Sequence, residues 1–178
     1  LGKLTRAEVL VNRFGVLFER LGKTVDAAAC AKVYEKNLSI GHYFLPGAEE
    51  AVKSLHKKYR LFLASNGTAS VQKGRMTSAN LYRFFEKVFV SQEIGHNKPS
   101  KAYFEGCFAQ IPGFDPAKAM IVGDSLSSDI QGGINAGIRT VGVTWGFRTR
   151  EELAAYSPWM LADTPEDIAD AVLKLNDN

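Results

Sequence analysis

Three short stretches of this sequence carry the side chains needed to hold a phosphate and a divalent cation. Ser65-Asn66-Gly67 offers a hydroxyl and backbone N–H groups, with a glycine that lets the chain turn tightly beside an anion. Lys98-Pro99 offers a compact positive charge suited to non-bridging oxygens, and the proline biases the lysine toward extended backbone. Asp124, with Asp129 five residues on in Gly123-Asp124-Ser125-Leu126-Ser127-Ser128-Asp129, supplies hard oxygen ligands of the kind Mg²⁺ prefers. Taken singly, each has an ordinary explanation: an SNG turn is most often only a turn, a Lys-Pro is usually a loop, and an aspartate at a helix start is usually a cap. Their order and their placement along the chain make them a set.

That placement follows from the elements that must carry them. Short apolar runs at residues 59–64, 88–90, 119–122 and 140–143 are each followed by helical spacing, a βαβ rhythm that implies a parallel sheet with helices on its faces. In such sheets ligands sit beyond the carboxyl ends of the strands, and SNG, Lys-Pro and GDxxxxD lie at or just beyond three of those ends. Helix starts are expected at Thr68, Ser100 and Thr164, the last followed by proline at the first helical position. The first 40 residues read differently, as two helices. Thr5 and Glu8 form a capping-box pattern, Leu10, Phe14, Leu17 and Leu21 recur at helical spacing, and Gly22 stands where a C-terminal cap belongs; a second helix runs from about Asp26 toward Leu38. Residues 40–47, with Gly41, Pro46 and Gly47, are the best linker candidate. The expected organisation is therefore a small helical cap over residues 1–46 and an α/β core, a doubly wound parallel sheet, over 47–178.

Composition narrows the class. With 178 residues and 46% apolar composition the chain is ordinary globular protein, not collagen, coiled coil or disordered polymer. Cys30 and Cys107 stand far apart with no CxxC, which argues against a zinc site or disulfide framework and for a reducing cytoplasm. No apolar run reaches membrane-spanning length, and the charged start is unlike a signal peptide. The chain opens without methionine, so a fragment of a longer protein is expected. The formal net charge of +3 is unevenly spread, the last 28 residues holding seven acids and one base. The basic run Lys53, His56, Lys57, Lys58, Arg60 reads as a solvated helix end rather than a nucleic-acid patch, while the modest positive field favours small anions.

SNG, then KP, then GDxxxxD, each at a strand end, resembles the haloacid dehalogenase superfamily of phosphohydrolases. The stretches LASNGTASVQKGRM, SQEIGHNKPSKAYF and IVGDSLSSDIQGGINAGI are most similar to its pyrimidine 5′-nucleotidase branch. The resemblance implies that Ser65, Asn66 and Gly67 bind the transferring phosphoryl group with Lys98, that Asp124 ligates Mg²⁺, and that Asp129 positions Lys98 or a metal-bound water and counts with Asp124 at the metal. Lys98 and Asp129 are thus the catalytic candidates, and Gly123 lets the strand end approach closely. The family's nucleophile, the first aspartate of a DxDxT strand, has no counterpart, because no DxD occurs in these residues. In the family that strand lies between the strands matching residues 59–64 and 119–122. Those two are expected to face a gap, and the chain alone is expected to be unstable.

Substrate choice in such enzymes resides in the cap, where Phe14, Phe18, Tyr43 and Phe44 are candidates to contact a base, with ordinary helix packing the competing explanation for the first two. Thr144-Trp145-Gly146-Phe147-Arg148 is another rim candidate, similar to phosphoglycolate-type phosphatases. The expected function is a Mg²⁺-dependent 5′-nucleotidase acting through an aspartyl phosphate, as a monomer or homodimer whose partner is a small phosphorylated metabolite, a nucleotide, with no nucleic acid and no membrane. The alternatives are a phosphoglycolate-type or other small-metabolite phosphatase and a non-catalytic phosphate-binding module. A dehalogenase shares the SN turn and lysine, but displacing a halide gives the acidic GDxxxxD nothing to do.

Overall fold

The computed structural model describes residues 4–176; the ends of the two expected domains, residues 1–3 and 177–178, lie outside the described residues. In chain order the regular elements are α1 (Arg6–Arg20), α2 (Ala27–Ile40), α3 (Ala48–His56), β1 (Phe62–Ser65), α4 (Ala69–Ser78), β2 (Lys87–Val90), α5 (Ser91–Ile94), α6 (Lys101–Phe108), β3 (Met120–Gly123), α7 (Gln131–Ala136), β4 (Arg139–Val143), α8 (Arg150–Ala154), β5 (Met160–Ala162) and α9 (Pro165–Asn176). By internal contact the chain forms two units, one running to His42 and adding Ser70–Asn80, the other made of Tyr43–Ala69 and Leu81 onward.

The first unit is helical. Thr5 caps α1 through a reciprocal pair: its N–H donates to Glu8 Oε2 at 2.6 Å, and the Glu8 N–H donates to Thr5 Oγ1 at 3.3 Å. The Thr5 N–H, and the Thr5 hydroxyl that donates to the same oxygen at 2.7 Å, hold the Glu8 carboxyl below its ordinary value. After α1 the chain turns through Gly22 at φ +60°, a conformation open to glycine at little cost, and Asp26 then caps α2 by accepting the N–H groups of Ala28 and Ala29 at 2.9 Å. Phe14 meets Tyr34 of α2 edge-on with ring centres 5.6 Å apart, and Phe18 lies 6.3 Å from Phe14. Both phenylalanines therefore take part in packing within the helical hairpin. Gly74 of α4 presses against the end of α2, where an added Cβ would stand 2.6 Å from the Ser39 carbonyl oxygen, and Ser78 Oγ donates to the Ile40 carbonyl at 2.7 Å. A groove of about 440 Å³ remains, lined by Leu10, Val11, Ala31, Lys32 and Val71 among others.

The second unit is α/β, with all strand pairs parallel. Its strands form two ladders, β1–β2 and β3–β4–β5, and no ladder joins β1 to β3 among the described residues. Helix α6 holds the two pieces against a common core: Phe104 and Cys107 cluster with Phe89 of β2 and Ile121 of β3, while Tyr103, fully buried, donates its hydroxyl to the Phe89 carbonyl at 2.9 Å. Full burial of side chains of this size stabilises by roughly 1.5–3 kcal/mol each, so this cluster offsets part of what a continuous ladder would contribute. Burial pushes the Tyr103 hydroxyl well above its ordinary range and the Cys107 thiol up to about 11. Among the described residues no helix is long and apolar enough to cross a membrane.

The four expected strands appear within a few residues of their sequence positions, and α4, α6 and α9 start beside Thr68, Ser100 and Thr164. One strand exceeds the sequence reading, and the helix expected to end in the basic run is present. β5 is three residues long, too short for an alternating pattern, and owes its strand form to pairing with β4. α3 follows Gly47 and ends in the basic run, where Lys53 pairs with Glu49 at 2.9 Å and Arg60 with Glu86 at 2.8 Å.

Candidate active site

Every residue of the three motifs belongs to the second unit, and two local constructions account for their arrangement. The first is built around Lys98. At the end of β1, Ser65 Oγ accepts the Gly67 N–H at 2.9 Å and closes the SNG turn on itself. Asn66 then reaches across to the lysine backbone: its Nδ2 donates to the Lys98 carbonyl at 2.9 Å, and its Oδ1 accepts the Lys98 N–H at 2.8 Å. This two-bond clasp fixes a segment that belongs to no helix or strand and whose Lys98–Pro99 peptide is cis. The side chain is held equally firmly, Nζ donating to the Ala64 carbonyl at 2.8 Å and to Asp129 Oδ1 at 2.6 Å. The ion pair is nearly buried, with side-chain exposures of 8% and 11%. An ammonium has three N–H groups, and these two bonds use two of them.

Asp129 reaches this position through the turn that follows β3. Residues Leu126–Ile130 form a π-helical turn capped by Ser125, whose Oγ accepts the Ser128 N–H at 3.2 Å, and the same turn lets Asp129 Oδ2 accept the Ser125 N–H at 3.1 Å. Gly123 is required here, because an added Cβ would stand 2.2 Å from Asp129 Oδ2. Both carboxylate oxygens of Asp129 are thus engaged, one by the lysine and one by the backbone.

Asp124 occupies the second construction. It is half-buried at the end of β3, and its Oδ2 accepts the Phe147 N–H at 3.1 Å. Among the described residues, no three His, Cys, Asp or Glu side chains gather in a way that could hold a metal ion. Asp124 is a hard oxygen donor of the type Mg²⁺ takes, usually through one or two carboxylates together with water and substrate oxygens. The sequence reading missed the Ala64 carbonyl, the Ser125 N–H and the Phe147 N–H, all backbone groups whose role is set by tertiary approach. The glycine in Trp145-Gly146-Phe147, at the end of a strand, is the one signal that pointed toward the last. Of the aromatic candidates outside the helical hairpin, Tyr43 is almost wholly exposed and Phe44 is 40% exposed.

Comparison with known proteins agrees with this arrangement. Residues 9–143 match the family model described as haloacid dehalogenase-like hydrolase. The chain belongs to that family. It is 37% identical over 139 residues to the HAD-hydrolase YfnB of Bacillus subtilis, covering 78% of this chain and 59% of YfnB. It is also 37% identical over 142 residues to the pyrimidine 5′-nucleotidase PynA of Streptococcus pneumoniae, covering 79% of this chain and 60% of PynA. The crystal structure of YfnB bound to magnesium superimposes with a TM-score of 0.86 at 32% identity, covering 96% of this chain and 74% of that one. The chain thus spans about three-fifths of the length of the curated relatives it matches, and its α/β core has the fold of haloacid dehalogenase-like hydrolases.

Proposed function

We propose that this chain carries the phosphate- and metal-handling part of a Mg²⁺-dependent phosphomonoester hydrolase of the haloacid dehalogenase-like family, acting on pyrimidine nucleoside 5′-monophosphates. The observation that carries the reading is the buried Lys98, clasped through its backbone by Asn66 and through its ammonium by the Ala64 carbonyl and by Asp129, which comes from the same turn after β3 that begins at Asp124. A lysine fixed this tightly has little freedom to lose when an anion arrives, and the preorganised charge acts where the phosphoryl oxygens gain charge in the transition state. Ser65, Asn66 and Gly67 would cradle the phosphoryl group with it. Asp129 acts as the positioning partner of Lys98, and Asp124 as the metal carboxylate.

Mg²⁺ bound at Asp124 would neutralise charge on the phosphoryl oxygens. The attacking carboxylate belongs to the DxDxT segment implied by the family, which these 178 residues do not contain. Its attack on phosphorus breaks the bond to the leaving alkoxide, and water then cleaves the resulting acyl phosphate to release phosphate and restore the carboxylate. In this reading residues 1–46 form a cap that contributes to substrate choice, and the fold houses a site open to small anions from a reducing, cytoplasmic milieu.

The nucleotidase reading is supported by the similarity to PynA. It is tested by kcat/KM for uridine, cytidine and thymidine 5′-monophosphates against phosphoglycolate and sugar phosphates, measured on the intact gene product that contains this chain. Pyrimidine nucleotides are expected to lead the panel. A preference for phosphoglycolate would discard the nucleotidase branch and favour the reading suggested by the Trp145-Gly146-Phe147 rim.

A further inference from the structure

The loop after β4 makes a closer approach to Asp124 than any side chain would allow. A Cβ built on Gly146 would stand 2.2 Å from Asp124 Cβ, 2.5 Å from its Oδ2 and 2.6 Å from its Cγ. Real Cβ atoms do not come that close. The nearest of the three, Asp124 Cβ, is fixed by its own backbone and cannot swing aside by side-chain rotation. Gly146 is not among the glycines at positive φ, so its backbone conformation is open to alanine and the obstacle is the aspartate alone. The next residue turns this proximity into a bond, the Phe147 N–H donating to Asp124 Oδ2 at 3.1 Å. A carboxylate held by one oxygen in this way presents the other in a fixed direction.

We propose that Gly146 is a positioning residue for Asp124: by lacking a side chain it lets the Phe147 N–H reach Oδ2 and fixes the carboxylate in the orientation that receives the divalent cation. The inference rests on the proposed role of Asp124 as the metal carboxylate and adds to it a requirement on a different element, in a segment that sequence reading treats as a substrate rim. Groups that orient a metal ligand from outside the coordination shell change affinity by about 10- to 100-fold when altered. Gly146→Ala is therefore expected to weaken divalent-cation binding by at least about 10-fold.

The experiment is a titration of the intact gene product with Mg²⁺, and with Mn²⁺ as a spectroscopic probe, for the parent, Gly146→Ala, Asp124→Asn and the double variant. The expected result is weaker binding in both single variants and no further loss when Gly146→Ala is added to Asp124→Asn, since the glycine acts through that carboxylate. Unchanged affinity in Asp124→Asn would overturn the reading of the metal site itself. Loss in Asp124→Asn with parental affinity in a folded Gly146→Ala would overturn this inference alone. A measurement on the unsubstituted protein decides the matter even where Gly146→Ala fails to fold. The Phe147 amide resonance is expected to shift on Mg²⁺ addition, and a Phe147 amide that ignores saturating Mg²⁺ would equally overturn the inference.

Discussion

Lys98 and Asp129 hold each other in place through a nearly buried ion pair. Each is nearly buried, and neither would be tolerated there alone, because an ionised side chain out of water needs a partner and hydrogen bonds to its remaining polar atoms. Lys98 finds Asp129 and the Ala64 carbonyl, and Asp129 finds Lys98 and the Ser125 N–H. Asp129→Ala removes one partner and leaves the ammonium uncompensated, so the folded state is expected to lose about 3–5 kcal/mol in denaturant unfolding. A loss below about 1 kcal/mol, the range of surface pairs, would mean that solvent reaches the lysine and that Asp129 does not hold it. The residue types of this cluster were readable in the sequence because lysine, asparagine and aspartate at strand ends are few and their order is distinctive. Their bonding was not. Nothing in Ser65-Asn66-Gly67 indicates that the asparagine clasps a backbone 32 residues away, since that contact exists only once β1 and the segment after α5 are side by side.

Elements supply the tolerances within which such contacts form, and α7 sets a narrow one. Gly132 and Gly133 lie against neighbours with no space to spare: a Cβ on Gly133 would stand 2.4 Å from Thr140 Cγ2 of β4 and 2.6 Å from Ile121 Cγ2 of β3, and one on Gly132 would stand 2.8 Å from the Phe104 ring. Gly133 lets α7 sit flush on β3 and β4 and Gly132 lets it close on Phe104 of α6, which keeps the π-helical turn and Asp129 at the strand end. Gly133→Ala improves helix propensity but overpacks this contact, and the second effect wins: a net loss of about 1–3 kcal/mol is expected, read as a lower Tm. A Tm equal to or above the parent's would show that the helix can lift away without cost. The sequence pattern located most elements because capping residues and apolar runs are local signals, as with Thr5 and Glu8 at α1 or Ser100 at α6. It missed β5, whose three residues carry no period and are strand only through Val141, Gly142 and Val143. It also treated residues 70–80 as part of the α/β core by position, whereas by contact they group with the first helices, through Gly74 against Ser39 and Ser78 against Ile40.

At the scale of the molecule, the α/β unit gathers the groups proposed to bind phosphate and metal at the carboxyl ends of β1 and β3, which share no ladder among the described residues. The sequence reading expected those two strands to be separate, because the family it resembles sets a DxDxT strand between them. Along the sequence, residues 1–150 hold 21 bases against 12 acids and the last 28 residues hold seven acids and one base, and a positive field of this kind favours small anions. In the proposed function, Asp124 ties this assembly to a divalent cation during phosphoester hydrolysis. The most direct test of that role is the Mg²⁺ dependence of aryl phosphate hydrolysis by the intact gene product and by its Asp124→Asn variant. Saturable Mg²⁺ activation of the parent is expected, with a loss on the order of 1,000-fold in the variant, the several kcal/mol of charge stabilisation that a bound metal contributes. An Asp124→Asn protein that hydrolyses the ester with the parent's rate and the parent's Mg²⁺ dependence would contradict that role.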